Sequence, residues 1–192
     1  HVAPGAEIQP HWELGIYAPY LEEELRDLIA YAKSQIPEFM RLQRIQRDIP
    51  AKLIVAGSRH SNFRQLAQNR MKSTGRTCRC IRCREIGRLP SVAKSEMRLK
   101  KYECCGGTEH FISAVSDDSL IGFTRLRFPS QVYRPELENA GLMRELHVYG
   151  SIVPVGSDAD SEEYQHRNYG RALLALAEET TTAAGYSRLA IM

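Results

Sequence analysis

Apolar positions first recur at helical spacing in LEEELRDLIAYAK, where Leu21, Leu25, Leu28, Ile29 and Ala32 share one face and three acids fill the opening turn. This pattern predicts a helix over 21–33 with that face buried. Ser34 to Pro37 ends it, and Phe39 to Ile45 (FMRLQRI) alternates apolar with polar residues as a strand does, before a turn at Asp48 to Pro50. Phe63, Leu66, Ala67 and Met71 predict a second helix between Asn62 and Met71, stopped by Gly75. From Arg98 the period changes to two. LKKYECC, a Gly-Gly turn, EHFISAV, Asp117-Asp118 and SLIGFTRLRF read as an antiparallel meander. Leu142 to Val155 is a further strand, then come a polar loop from Gly156 to Glu163, a helix over Arg171 to Ala184 with Leu173, Leu174 and Ala177 inward, and a strand from Tyr186 to Met192. Helices and strands in this order predict an α/β (α+β) fold with a mixed sheet.

At 192 residues and 43% hydrophobic, the chain can build a packed core. Its apolar runs, such as Leu53 to Ala56, are far shorter than the ~20 residues a membrane-spanning helix needs. Trp12, Tyr17 and Tyr20 are expected in the core. The chain opens at His1 without a basic-then-apolar leader, so it is expected to be a fragment of a cytoplasmic protein.

The net charge of +3 conceals a segregation. Residues 52 to 101 carry 14 basic and 2 acidic side chains, whereas 102 to 192 carry 7 and 13. A segment so basic is a footprint for a polyanion. Arg64, Arg70, Lys72, Arg76, Arg79, Arg82, Arg84 and Arg88 are the candidate phosphate contacts, and the alternative is a solvated basic face.

Cys78-x-Cys80-x-x-Cys83 lies inside that segment. Three thiolates within six residues suit tetrahedral Zn²⁺, with a fourth ligand to come from His60, His110, Cys104 or Cys105. Free thiols and disulfides are the alternatives. The vicinal Cys104-Cys105 reads as strand, its side chains on opposite faces.

At the junction of the polar loop and the last helix stand Gln165, His166, Arg167, Asn168, Tyr169, Gly170 and Arg171. A loop turning into a helix offers unpaired N–H groups and the positive end of the dipole, which suits a pyrophosphate. The segment resembles the GNAT acetyltransferase loop, which runs Gln or Arg, two residues, Gly, one residue, then Gly or Ala. It matches at Gln165 and Gly170 and departs at Asn168, a residue type that tolerates a left-handed backbone.

Four separated motifs together, LQRIQRDIPAKLIVA (Leu42 to Ala56), CRCIRCREIG (Cys78 to Gly87), RELHVYGSIVPVG (Arg144 to Gly156) and QHRNYGRALL (Gln165 to Leu174), resemble the catalytic subunit of Elongator. That family is the tRNA wobble-uridine carboxymethyltransferase. The resemblance implies a radical S-adenosylmethionine TIM-type barrel whose C-terminal edge is residues 1–50, a basic zinc-binding linker over 51–97, and a truncated GNAT-like domain over 98–192. It implies acetyl-CoA contacts along Glu145, Leu146, His147 and Val148 and at the 165–171 loop, with the basic linker carrying tRNA.

The family also uses S-adenosyl-L-methionine and a 4Fe-4S cluster. The cluster's Cys-x3-Cys-x2-Cys spacing does not occur in this sequence, and the family's catalytic Tyr pair would lie beyond Met192, so the fragment is expected to be inactive alone. Other Elongator subunits or a homodimer are the implied partners, with no membrane. The rivals are a conventional lysine acetyltransferase and a nucleic-acid-binding zinc module with a vestigial acetyltransferase core.

Overall fold

Where backbone carbonyls find their donors decides the shape of the first part of the chain. The structure, a computed structural model, describes residues 1–45, 49–87, 94–149 and 168–192, and these fall into two compact units, 1–83 and 84–192.

In the first unit, α1 (Gln9–Glu13) precedes α2 (Glu22–Gln35) and α3 (Phe63–Ser73), while α4 (Ile81–Arg84) spans the division between units. Three glutamates open α2, and the Leu21 N–H donates to Glu24 Oε2 at 2.9 Å, satisfying one of the N–H groups at the helix start. The buried face of α2 differs from the expected one. Ala30 and Lys33 are buried, whereas Leu21 and Leu28 are exposed, as is Tyr31. The face actually used lies three residues apart and lines up with α3, joined to it by an Asp27–Arg70 ion pair at 2.7 Å. On α3, Phe63, Ala67 and Met71 recur every four residues and are all buried, and Gly75 follows at φ 66°.

Residues 39–45 do not form the expected strand. Their carbonyls are taken one by one. Arg64 Nη2 donates to Leu42 O at 2.8 Å, Arg82 Nη1 to Gln43 O at 2.6 Å, and the Ile81 N–H to Met40 O at 2.9 Å. Guanidinium groups thus replace a ladder partner. Tyr20 is 63% exposed and Trp12 and Tyr17 only half-buried, so none is the core residue anticipated.

The second unit is a five-stranded sheet in the order β1-β2-β3-β4-β5: Glu96–Cys104, Gly107–Ser116, Ser119–Pro129, Ala140–Val148 and Arg188–Ile191. β1 to β4 are antiparallel neighbours, and β5 runs parallel to β4 after α5 (Tyr169–Ala183). Both early hairpins turn through two residues of positive φ, Cys105 (47°) with Gly106 (67°) and Asp117 (45°) with Asp118 (71°). That is the backbone hand which matches strand twist. Cys105 is therefore a turn residue, and its sulfur lies 3.6 Å from that of Cys104, a correction to the strand reading of this pair.

One sheet face packs on α5 through Ile112, Leu126, Phe128, Met143, Leu173 and Ala177. The mixed sheet and its flanking helix are as expected. Residues 150 onward in the Leu142–Val155 strand, the 156–163 loop and the first residue of the Asp48 to Pro50 turn lie outside the described residues. Among the described residues, no helix is long and apolar enough to cross a membrane.

Gly141 lets β4 approach α5. A Cβ there would meet Thr181 Oγ1 at 2.8 Å and Phe128 Cε1 at 2.9 Å, whereas one at Gly170 meets nothing nearer than 3.9 Å. Gly141→Ala is expected to lose about 1–3 kcal/mol in urea unfolding. Gly170→Ala is expected to stay neutral or gain up to about 1 kcal/mol. Equal effects in both would show that close packing at Gly141 does not limit stability.

Candidate functional site

β4 is bonded unequally on its two edges. β3 pairs with it from Leu142 to Val148, but β5 pairs only over Ala140 to Met143, with the Met192 N–H adding one bond to Met143 O at 3.1 Å. Past that point Glu145, Leu146, His147 and Val148 have no β5 partner among the described residues. Glu145, Leu146 and His147 are exposed there.

The start of α5 comes to the same place. The position of a Gly170 Cβ lies 3.9 Å from Leu146 Cδ2 and from Val148 Cγ2. Asn168 caps the helix at φ 57°, ψ 21°, the left-handed conformation its short amide side chain tolerates. The first intrahelical bond runs from the Ala172 N–H to Asn168 O. The N–H groups of Tyr169, Gly170 and Arg171 thus have no intrahelical acceptor and no partner among the described residues, and no acid stands in this turn. Tyr169 anchors it, 7% exposed, its hydroxyl donating to Ser95 Oγ at 2.9 Å. An open strand edge beside such a start can take a chain of amides on one side and a phosphate on the other. Gln165, His166 and Arg167 lie outside the described residues.

On the sheet face opposite α5 sits a polar network that the sequence reading did not single out. Glu109, 2% exposed, accepts from Tyr102 Oη at 2.7 Å and from Arg144, with Arg127 at 3.5 Å. Burial, then the bond to Glu109, pushes the Tyr102 hydroxyl up to about 12, so it remains a donor. Arg125 donates to Tyr102 Oη at 3.2 Å and to Glu145 Oε2 at 2.9 Å, its guanidinium 5.5 Å from the Phe111 and Phe123 ring centres. Glu145 is thereby tied to the network, while the His147 ring packs 4.4 Å from Tyr149. The available signal was the alternation of Arg125 and Arg127 with apolar residues in FTRLRF.

In the first unit, the sulfurs of Cys78, Cys80 and Cys83 all lie within 4.8 Å of one another. Cys80 is buried, and the hydrogen bond from the Cys83 thiol, outweighing burial, pulls its thiol down to about 4; Cys83, as that donor, is pushed up. Among the described residues, no other His, Cys, Asp or Glu joins this group. His60 Nε2 instead lies 3.1 Å from Glu22 Oε2. His110 is edge-on to Phe128, its ring pulled toward neutrality by burial, and Cys104 and Cys105 sit at the β1–β2 turn. Three soft donors so close fit a tetrahedral dication. A cavity of about 250 Å³ beside Cys78 and Cys83 is walled by Met71, Lys72 and Arg76.

The basic residues divide by what already holds them. Arg64 and Arg82 bond backbone carbonyls, Arg70 pairs with Asp27, and Arg79 pairs with Glu38 at 3.1 Å. Arg84 is buried, its Nε donating to Asp118 O at 2.9 Å. Lys72 and Arg76 are exposed at the end of α3, as are Arg79 and Arg82, and Arg88 lies outside the described residues.

Residues 1–73 match the family model of the Radical_SAM C-terminal domain. The chain is 43% identical over 187 residues to the "tRNA uridine(34) acetyltransferase" of Methanocaldococcus jannaschii, covering 92% of this chain and 35% of that protein. It is 42% identical over 187 residues to "Elongator complex protein 3" of Schizosaccharomyces pombe, covering 92% and 34%. The solved structure of archaeal Methanocaldococcus infernus Elp3 with an N-terminal deletion superposes with a TM-score of 0.87 at 39% identity, over 99% of this chain and 47% of that one. Together these define a class, a Radical_SAM C-terminal domain followed by a five-stranded mixed sheet. Within it, the chain is similar to a part of Elongator complex protein 3. It spans about a third of the length of the curated relatives it matches.

Glu109→Gln keeps the shape of the buried network but removes the charge that faces Arg127 and Arg144. It is expected to cost about 1–3 kcal/mol in urea unfolding. An unchanged midpoint would show that the network contributes little to sheet stability.

Proposed function

We propose that this chain is the acetyl-CoA- and tRNA-binding part of an enzyme that modifies the wobble uridine of tRNA. One observation carries the reading: the edge of β4 at 145–148, without a β5 partner among the described residues, meets the start of α5, in a chain 43% identical to a protein named tRNA uridine(34) acetyltransferase. The β4 edge would bond the amides of the pantetheine arm. The N–H groups of Tyr169, Gly170 and Arg171, with the sequence 165–168 that precedes them, would bind the pyrophosphate.

The product is a carboxymethyluridine, as the resemblance implies. S-adenosyl-L-methionine and the 4Fe-4S cluster would be held by residues other than those in this chain, whose cysteines lack the required spacing. Cys78, Cys80 and Cys83 would hold Zn²⁺, which supplies a structural cross-link in the basic linker. The exposed apolar face of α2, with Leu21, Leu28 and Tyr31, is the side that would pack on the remainder of the barrel.

Lys72, Arg76, Arg79 and Arg82 form the exposed basic surface proposed for tRNA phosphates. Arg84, committed to Asp118, and Arg64 and Arg70, held by the carbonyls of residues 42 and 43 and by Asp27, are left out of that set, and Arg88 lies outside the described residues. A lysine acetyltransferase would share the β4–α5 slot but gives no role to this surface.

Gly170→Asp places a carboxylate where the pyrophosphate would sit, while favouring the helix electrostatically. Acetyl-CoA affinity by calorimetry is expected to fall at least about 10-fold with thermal stability unchanged. Retained affinity would remove the slot from the reading. Separately, binding of whole tRNA across a salt series is expected to be steep, with the Lys72→Glu/Arg76→Glu variant losing about one unit of log-log slope per lost phosphate contact. Identical slopes in both proteins would refute tRNA contact at this surface.

A further inference from the structure

Lys33 is fully buried, with 0% of its surface exposed. A lysine near a helix end normally extends its stem and leaves the ammonium in water. Here Nζ turns inward and donates to Cys83 Sγ at 3.6 Å, and Gln68 Nε2 approaches the same sulfur at 4.0 Å. Enclosing an ammonium costs several kcal/mol unless an anion lies against it. The anion at hand is the sulfur cluster of Cys78, Cys80 and Cys83.

We propose that Lys33 is the charge-balancing positioning residue of the three-cysteine metal site, donating to Cys83 so that the loaded site is electrically neutral. The proposal rests on the reading of that cluster as a metal site. Three thiolates around a divalent cation leave one negative charge, and the Lys33 ammonium cancels it. A fourth thiolate or carboxylate would restore the imbalance, so the fourth donor is a neutral group. This agrees with the absence of any further Cys, Asp or Glu from the cluster among the described residues. An outer donor of this kind also fixes the orientation of the sulfur it touches and lowers the cost of holding it as a thiolate.

The test is a zinc competition titration against a chromogenic chelator, with Co²⁺ absorption as a second readout, on the full chain and on Lys33→Met, Lys33→Gln, Lys33→Arg and Cys80→Ser. Lys33→Met fills the space without the charge. It is expected to fold, to melt without metal no lower than the parent, and to bind zinc about 10- to 100-fold more weakly. Its thiolate-to-cobalt band should shift, because one sulfur has lost its donor. Lys33→Gln should lose affinity likewise, which covers the case of a Met variant that does not fold, and Lys33→Arg should recover most of it. A space-filling role predicts the reverse, a lower melting point with unchanged affinity. If the parent chain binds zinc and the Met or Gln variant binds it equally, the charge-balance role is overturned and the metal site stands. If the parent and Cys80→Ser fail alike to take up zinc, the metal reading falls and this role falls with it.

Discussion

The unequal bonding of β4 is the constraint around which the second unit is arranged. A strand inside a sheet ordinarily satisfies both edges, and leaving one open is costly unless something else supplies partners. Here β5 leaves the pairing after Met143, while β3 continues to Val148. α5 is drawn close at Gly141, where there is no room for a side chain, and its start reaches Leu146 and Val148. The same packing that holds the crossover helix on the sheet therefore brings helix N–H groups beside strand groups, both without partners among the described residues.

Arginine has two occupations in the first unit, and charge counting alone does not separate them. The basic character of residues 52–101 suggested a continuous polyanion surface. The structure commits Arg64 and Arg82 to the carbonyls of residues 42 and 43, replacing the hydrogen bonds of a strand that is not there. A guanidinium suits this, because its several donors reach carbonyls at fixed angles. Lys72 and Arg76, whose side chains make no such bond among the described residues, lie past the middle of α3 and just beyond its end, beside Cys78 and Cys83.

Local chemistry was legible where it acted alone. The acidic opening of α2, the four-residue spacing on α3, the Asp117-Asp118 turn and the left-handed Asn168 all follow from rules that need no distant partner. What was hidden depended on contacts distant in sequence. FMRLQRI alternates like a strand, yet its carbonyls are claimed by arginines up to 39 positions away. The apolar positions of α2 described one face, but α3 packs on another, where the face includes a lysine that periodicity assigns to solvent. The cysteine spacing marked three sulfurs that lie close enough to hold a metal ion, while the pairing of His60, one of the four fourth-ligand candidates, with Glu22 could not be read from spacing.

The bulge in the β3–β4 ladder links the buried network to the slot. The register shifts between Arg125 and Leu126, so that Leu142 and Met143 oppose Arg127 and Leu126, Glu145 opposes Arg125, and Arg144 is the extra residue. An extra residue would otherwise sit unpaired, and bulges persist where something holds them. Arg144 is held by Glu109, which also engages Tyr102 and Arg127. Glu145, next along, is held by Arg125. These two ion pairs fix consecutive side chains on the face opposite α5, and the bulge sets the direction in which 145–148 leave β5. A charged network buried in a sheet is a poor source of stability in itself. Its placement at the point where β4 and β5 separate gives it a geometric role, that of setting the position of the open edge relative to the start of α5.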